Sequence, residues 1–186
     1  MNDYFEEKSF VNQSVLKMGT YEDCNFKNCD FSNANLSGIT FIDCEFVSCN
    51  LSMTKIKQTS FKNVNFLDTK LLGLRFDQCN TFGFEISLDN CIANHASFYK
   101  LNLKNTLFNN TQLREVDFIE ANLSKATFDN CDLQAAVFEN TNLKETDFRT
   151  AYNFAINPET NLIKKARFSA NNIVGLLHQY DIEIES

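Results

Sequence analysis

The chain has 186 residues, with 17 Lys and Arg against 24 Asp and Glu, for a net charge of −7. That length suits one domain, and the acidic balance argues against non-specific or direct nucleic-acid binding, which rests on Lys and Arg. Five glycines and a single proline, Pro158, argue against disorder and many hairpin turns, and no apolar run approaches the ~20 residues that span a bilayer.

The first segment, residues 1–13 ("MNDYFEEKSFVNQ"), has no basic region followed by an apolar one. No signal peptide is visible in it, so a cytoplasmic location is expected, and the segment reads as an N-terminal cap or imperfect first coil. From Leu16 a large apolar residue recurs every five positions: Leu16, Tyr21, Phe26, Phe31, Leu36, Phe41, Phe46, and on to Phe76. The residue two places earlier is mostly small. A period of five fits neither a helix, where such residues are separated by about 140°, nor a straight strand, where they alternate faces. It fits a chain that turns once per five residues and buries each unit against its neighbours, which is a solenoid.

The phase slips around "CNTFGFEIS", near residues 79–87. Phe76 and Phe98 stand two residues further apart than four units of five. A corner bulge or small loop is expected there, with Gly83 supplying the unusual backbone angle. The second series then runs from Leu88 through Phe98, Phe108, Phe118, Phe128 and Phe138 to Phe148. "NPETNLIKK" interrupts it, residues 152–165 read as irregular, and Phe168 rejoins it.

On these units, which cover about residues 14–150 with one more match at Ala166-Arg167-Phe168, the chain resembles the pentapeptide repeat family. The resemblance implies an all-β fold, a right-handed quadrilateral β-helix of about seven coils over residues 14–168. The central residue i and residue i−2 point inward. Four units per coil place residues 20 apart on one face. With the slip treated as a local insertion, one core ladder reads Phe26, Phe46, Phe66, Leu88, Phe108, Phe128 and Phe148, and another reads Tyr21, Phe41, Phe61, Leu103, Leu123 and Leu143. Residues 16–148 make about 6.5 coils, a rod roughly 30 Å long at ~4.8 Å per strand.

All seven cysteines, Cys24, Cys29, Cys44, Cys49, Cys79, Cys91 and Cys131, fall at i−2. That slot takes a small, mildly apolar side chain, and a free thiol behaves as one. No C-x2-C pair or Cys/His cluster of zinc spacing occurs, so reduced core thiols are expected and no metal site. The two histidines, His95 and His178, belong to no visible nucleophile–base arrangement, and there is no Gly-rich phosphate loop. No catalytic residue, cofactor or enzymatic activity is assigned.

Residues 169–186 leave the repeat. Ile173, Leu176, Leu177 and Tyr180 have i, i+3, i+4, i+7 spacing, which predicts a short helix with an apolar face, capped by Asn171 or Asn172. The tail "DIEIE" alternates like a strand. The segment is expected to lid the open coil end or to dimerise. The resemblance extends to the DNA-mimicking quinolone-resistance subgroup, in which a C-terminal helix pairs two rods end to end. It implies a homodimer through Ile173, Leu176, Leu177 and Tyr180, and a type II topoisomerase such as DNA gyrase as partner. The surface over the Phe ladder carries Glu45, Asp68, Asp89, Asp129 and Asp147 against Lys27 and Arg149, a candidate acidic interaction face; another carries Lys104, Lys125 and Lys144. Two readings stay open: an acidic DNA mimic, or a structural scaffold for another protein partner.

Overall fold

The computed structural model describes residues 3–183. Its strands fall into two parallel sheets. The four-stranded sheet contains β1 (Asp3–Glu6), β3 (Gly19–Glu22), β5 (Thr40–Ile42) and β7 (Ser60–Lys62). The seven-stranded sheet contains β2 (Ser9–Val11), β4 (Asn25–Lys27), β6 (Glu45–Val47), β8 (Val64–Leu67), β9 (Ile86–Asp89), β10 (Leu107–Asn109) and β11 (Thr127–Asp129). Each strand pairs with one a full coil later, as Phe26 with Phe46 and Phe108 with Phe128. Isolated parallel bridges, such as Asn50 to Lys70 and Asn122 to Asn142, close the other two sides and extend the coil. The result is a quadrilateral β-helix.

The strands are short because every fifth residue makes a corner. Position i+2 has positive φ almost throughout, from Asp23 (50°) and Asn28 (52°) to Glu145 (60°) and Lys165 (62°). This left-handed conformation is cheapest for Gly and tolerable for Asn and Asp. Gly38, Gly73 and Gly83 and many Asn and Asp occupy it, but so do Met53, Lys100 and Ala135.

Inside, the i residues stack. Phe26 and Phe46 lie 4.5 Å apart at 12°, Phe108 and Phe128 4.8 Å apart at 4°, and Phe128 and Phe148 5.0 Å apart at 7°. Rings on adjacent faces meet edge-on, as Phe118 with Phe128 at 5.8 Å and 82°. Both geometries are preferred by the aromatic quadrupole. The two extra residues leave this ladder intact, since Phe66 pairs with Leu88 and Leu88 with Phe108. They form a loop on the neighbouring face, where Gly83 has φ +71°, Phe84 packs on the core and Phe82 is 79% exposed.

The i−2 slot has a polar duty as well as a steric one. Its hydroxyl or thiol donates to the carbonyl of residue i of the preceding unit, one coil earlier: Thr54 Oγ1 to Phe31 at 2.8 Å, Thr59 Oγ1 to Leu36 at 2.8 Å, and Cys131 Sγ to Phe108 at 3.2 Å. Cys, Thr and Ala are all small, but only Cys and Thr add this bond. Among the described residues, no buried side-chain nitrogen or oxygen lacks a partner.

The ladders begin ahead of Leu16. Phe5 stacks on Tyr21 at 4.6 Å, and Phe10 on Phe26 at 5.1 Å. This first turn is four residues shorter than the rest, so Phe5 and Phe10 fall out of the five-residue phase set by Tyr21. At the other end, Phe168 stacks on Phe148 at 5.4 Å, while Phe154 and Ile156 replace the expected residues around Pro158 in the core.

The short C-terminal helix is corrected. Residues 173–180 form two separate 3-10 turns, Ile173–Leu176 and His178–Tyr180. The reason is docking. Gly175 lies so close to Phe154 that a Cβ would sit 2.5 Å from its ring, and its carbonyl accepts from the amide of Ile156. A continuous helix would have to lift off this contact. Asn172 does not cap the turn with its side chain. Its amide donates to the carbonyls of Phe148 (2.7 Å) and Ala151 (2.9 Å) in the last coil. The expected strand-like alternation of the tail is not borne out over residues 181–183, which form no strand and start from a left-handed Asp181 (φ 48°), and residues 184–186 lie outside the described ones. No described helix is long and apolar enough to cross a membrane.

Candidate interaction faces

The five carboxylates over the seven-stranded sheet share one side of the rod but not one state. Glu45 precedes Phe46, Asp89 and Asp129 follow Leu88 and Phe128, and Asp68 takes the corner after Phe66. Asp68 accepts from Asn90 Nδ2 at 2.6 Å, and Asp129 from Thr150 Oγ1 at 2.6 Å. Asp147 differs, being 8% exposed and clamped by Arg149 (2.8 Å) and Arg167 (2.9 Å). The Arg149 hydrogen bonds, opposed in part by burial and helped by the Arg167 charge, hold its carboxyl below the usual range. With Lys27, Arg149 and Arg167 on the same side, the face carries five carboxylates against three cations.

Asp132, outside that set, is buried beneath Arg114, with Nε to Oδ2 at 2.6 Å. Burial opposes its ionisation, but hydrogen bonds from Asn153 and Arg114 outweigh it and lower its pKa. Nothing in the repeat marks Asp132 as special, since it holds an i−1 position that mostly faces solvent.

The four residues of the expected dimer stripe are not brought onto one helix face. Leu176 and Leu177 are half-buried, whereas Ile173 and Tyr180 are 49% and 45% exposed. Tyr180 donates its hydroxyl to Glu159 Oε1 at 2.8 Å. The segment borders a groove of about 660 Å³ lined by Tyr152, Phe154, Val174, Leu177 and His178. His95 occupies an exposed corner, with φ +59° and Nδ1 3.4 Å from Glu115.

All seven thiols are buried and free. Burial pushes Cys44, Cys49, Cys91 and Cys131 up to about 12, and Cys79 higher still. Cys29 and Cys49 stack as their spacing predicts, the Cys29 amide lying 3.4 Å from Cys49 Sγ. Among the described residues, no three His, Cys, Asp or Glu side chains cluster as a metal site requires.

The family model for the pentapeptide repeat region matches residues 20–91 and 84–152. Among solved structures, full-length QnrB1, a plasmid-mediated fluoroquinolone resistance protein, is 20% identical, with 97% of this chain and 100% of that one covered and a TM-score of 0.50. A trypsin-treated QnrB1 variant gives the same identity and TM-score, over 99% and 100%. HetL, a pentapeptide repeat protein involved in heterocyst differentiation regulation in the cyanobacterium Nostoc, is 12% identical over 89% and 84%, with a TM-score of 0.43. No curated protein matches the sequence.

Proposed function

Because this chain belongs to the pentapeptide repeat family, whose members carry their surface on a rigid rod, we propose that it is a non-enzymatic interaction protein that binds the basic DNA channel of a type II topoisomerase and alters its response to quinolones. The observation that carries this reading is the row of carboxylates over a parallel sheet, Glu45, Asp68, Asp89 and Asp129, on a chain of net charge −7. A rod with carboxylates at strand spacing offers a basic channel a substitute for phosphates. The fold shared with QnrB1, a fluoroquinolone resistance protein, supports the same direction.

The charge density sets the limit on mimicry. A duplex as long as the ~30 Å rod carries about 18 charges, at one per ~1.7 Å. The rod's net −7 is well below that, so shape has to supply much of the fit. The three cations on the same face favour a second reading, a scaffold for a protein partner of mixed charge.

The test is DNA supercoiling by purified gyrase, with and without a quinolone, across a titration of the full chain. Inhibition of supercoiling, or relief of quinolone inhibition, is expected, and it weakens when Asp68, Asp89 and Asp129 become Asn. No effect of the wild-type chain at any concentration on gyrase or topoisomerase IV overturns the topoisomerase reading.

A further inference from the structure

The four-stranded face has a charge order that the candidate acidic face lacks. The column after the stacked ring runs Glu6, Glu22, Ile42 and Lys62 in paired register through β1, β3, β5 and β7. Past the loop it resumes as Lys104, Ser124, Lys144 and Lys164, following the bridges from Asn102 to Asn122, Asn142 and Leu162. The corner column beside it runs Glu7, Asp23, Asp43, Asn63 and Gly83, then Asn105, Lys125, Glu145 and Lys165. One half of the face is therefore acidic and the other basic. The acidic half has no internal ion pair among the described residues, and the basic half has one, Lys125 with Glu145 at 4.0 Å, which leaves Lys104, Lys144, Lys164 and Lys165 unpaired there. Glu22 accepts only the Tyr4 hydroxyl, and Asp43 the Asn63 amide at 2.6 Å.

The loop stands at the midpoint. Asn80 bridges Ser60 on one side, and the loop lies against Leu101 and Asn102 on the other. Phe82 projects from it, 79% exposed, with Lys62 Nζ 5.7 Å from its ring centroid. Glu6 and Glu7 lie four rungs before the loop and Lys164 and Lys165 four rungs after it, about 19 Å each way at ~4.8 Å per strand.

From this order we infer that the four-stranded face is a self-complementary surface, on which a second copy of this chain packs side by side and antiparallel about a two-fold axis through Phe82. A two-fold axis there superposes opposite charges on the three outer rungs of each half. Glu6 and Glu7 meet the partner copy's basic end, Glu22 and Asp23 meet the rung of Lys144 and Glu145, whose carboxylate is held by Lys125, and Asp43 meets that of Lys125. The two Phe82 rings come together at the axis, where an aromatic anchor contributes most because it is fully desolvated. Lys62 and Lys104 face each other next to the axis, with Glu85 of both loops beside them. An isologous contact of this kind closes after two copies. It places the pair along the rods, leaving both C-terminal ends and both seven-stranded faces free.

The experiment is sedimentation of the full chain at low salt and at 0.5 M salt, together with two charge-reversal variants. Wild type is expected to be a dimer that dissociates at least tenfold more readily in high salt, because exposed charges are screened there. Lys144→Glu with Lys164→Glu, and separately Glu6→Lys with Glu22→Lys, are each expected to be monomeric and folded. Mixed one to one, they are expected to recover a dimer, since each reversed residue then meets an opposite charge on the other variant. The seven native thiols are buried, so Phe82→Cys presents a single accessible thiol, and mild oxidation is expected to cross-link two copies through it. A wild-type monomer at low salt, a mixture that stays monomeric, or a dimer lost in Leu177→Asp but indifferent to both reversals would overturn the inference.

Discussion

Replacing Phe128 with Ala tests the packing logic where the structure makes it strongest. The ring is fully buried and sandwiched between Phe108 at 4.8 Å and Phe148 at 5.0 Å, with Phe118 and Phe138 edge-on at 5.8 and 6.5 Å. A buried Phe→Ala change costs about 3–5 kcal/mol. Aromatic pairs add about 0.5–1.5 kcal/mol each beyond area, and four are lost, so the upper end, about 5 kcal/mol, is expected. The backbone ladder on both sides prevents the coil from closing over the hole, which keeps the cost high. Phe10, partly buried with one stacked neighbour at the rod's end, is expected to cost about 2 kcal/mol as Ala. Asn109→Ala, which removes a half-exposed side chain, should stay within about 0.5 kcal/mol. Guanidinium unfolding followed by circular dichroism reads all three, and with a slope near 4 kcal/mol/M about 1 M separates Phe128→Ala from wild type. The slope must be compared too, because a solenoid that unfolds in pieces lowers it. Equal midpoints for the Phe128 and Asn109 variants at unchanged slope would refute the reasoning.

The thiols set an alkaline limit. Four cysteines held at about 12 titrate near 8.5 when unfolded, so their contribution is complete below about pH 8.5 and is lost as pH rises toward 12. The guanidinium midpoint should fall between pH 7 and 10, and less so in Cys131→Ala; native thiols should meanwhile resist a thiol reagent at pH 7. Asp147 and Asp132, both lowered, act at the other limit: their contribution is present above about pH 4 and lost as pH falls through their folded values. Asp147→Ala should cost about 1.5 kcal/mol at pH 7, toward the low end because both arginines are more than half exposed, and should blunt the acid transition. Ala135→Gly, at φ +57°, should raise stability by about 0.5–1 kcal/mol by relieving a left-handed alanine; a fall in midpoint would show that the corner is not strained.

The period of five determined the β-helix, the inward residues and the place of the slip, because each unit meets only its neighbours and the pattern is read locally. The Asn and Asp recurring at i+2 also carried a signal for the left-handed corners. Three features needed the tertiary structure. Phe5 and Phe10 are five apart, yet their turn is four residues short, so only the pairing of β1 with β3 and β2 with β4 shows that they stack on Tyr21 and Phe26. The spacing of Ile173, Leu176, Leu177 and Tyr180 suits a helix in isolation. Contact between Gly175 and Phe154, and the Asn172 amide over the last coil's carbonyls, broke it into turns. Charge on the surface was countable in sequence, but its pairing was not: Asp147 is clamped by Arg149 two residues on and by Arg167 one coil on. Among the described residues, its neighbours in the acidic set form no ion pair, and Arg149, in register 20 residues after Asp129, turns to Asp147 instead.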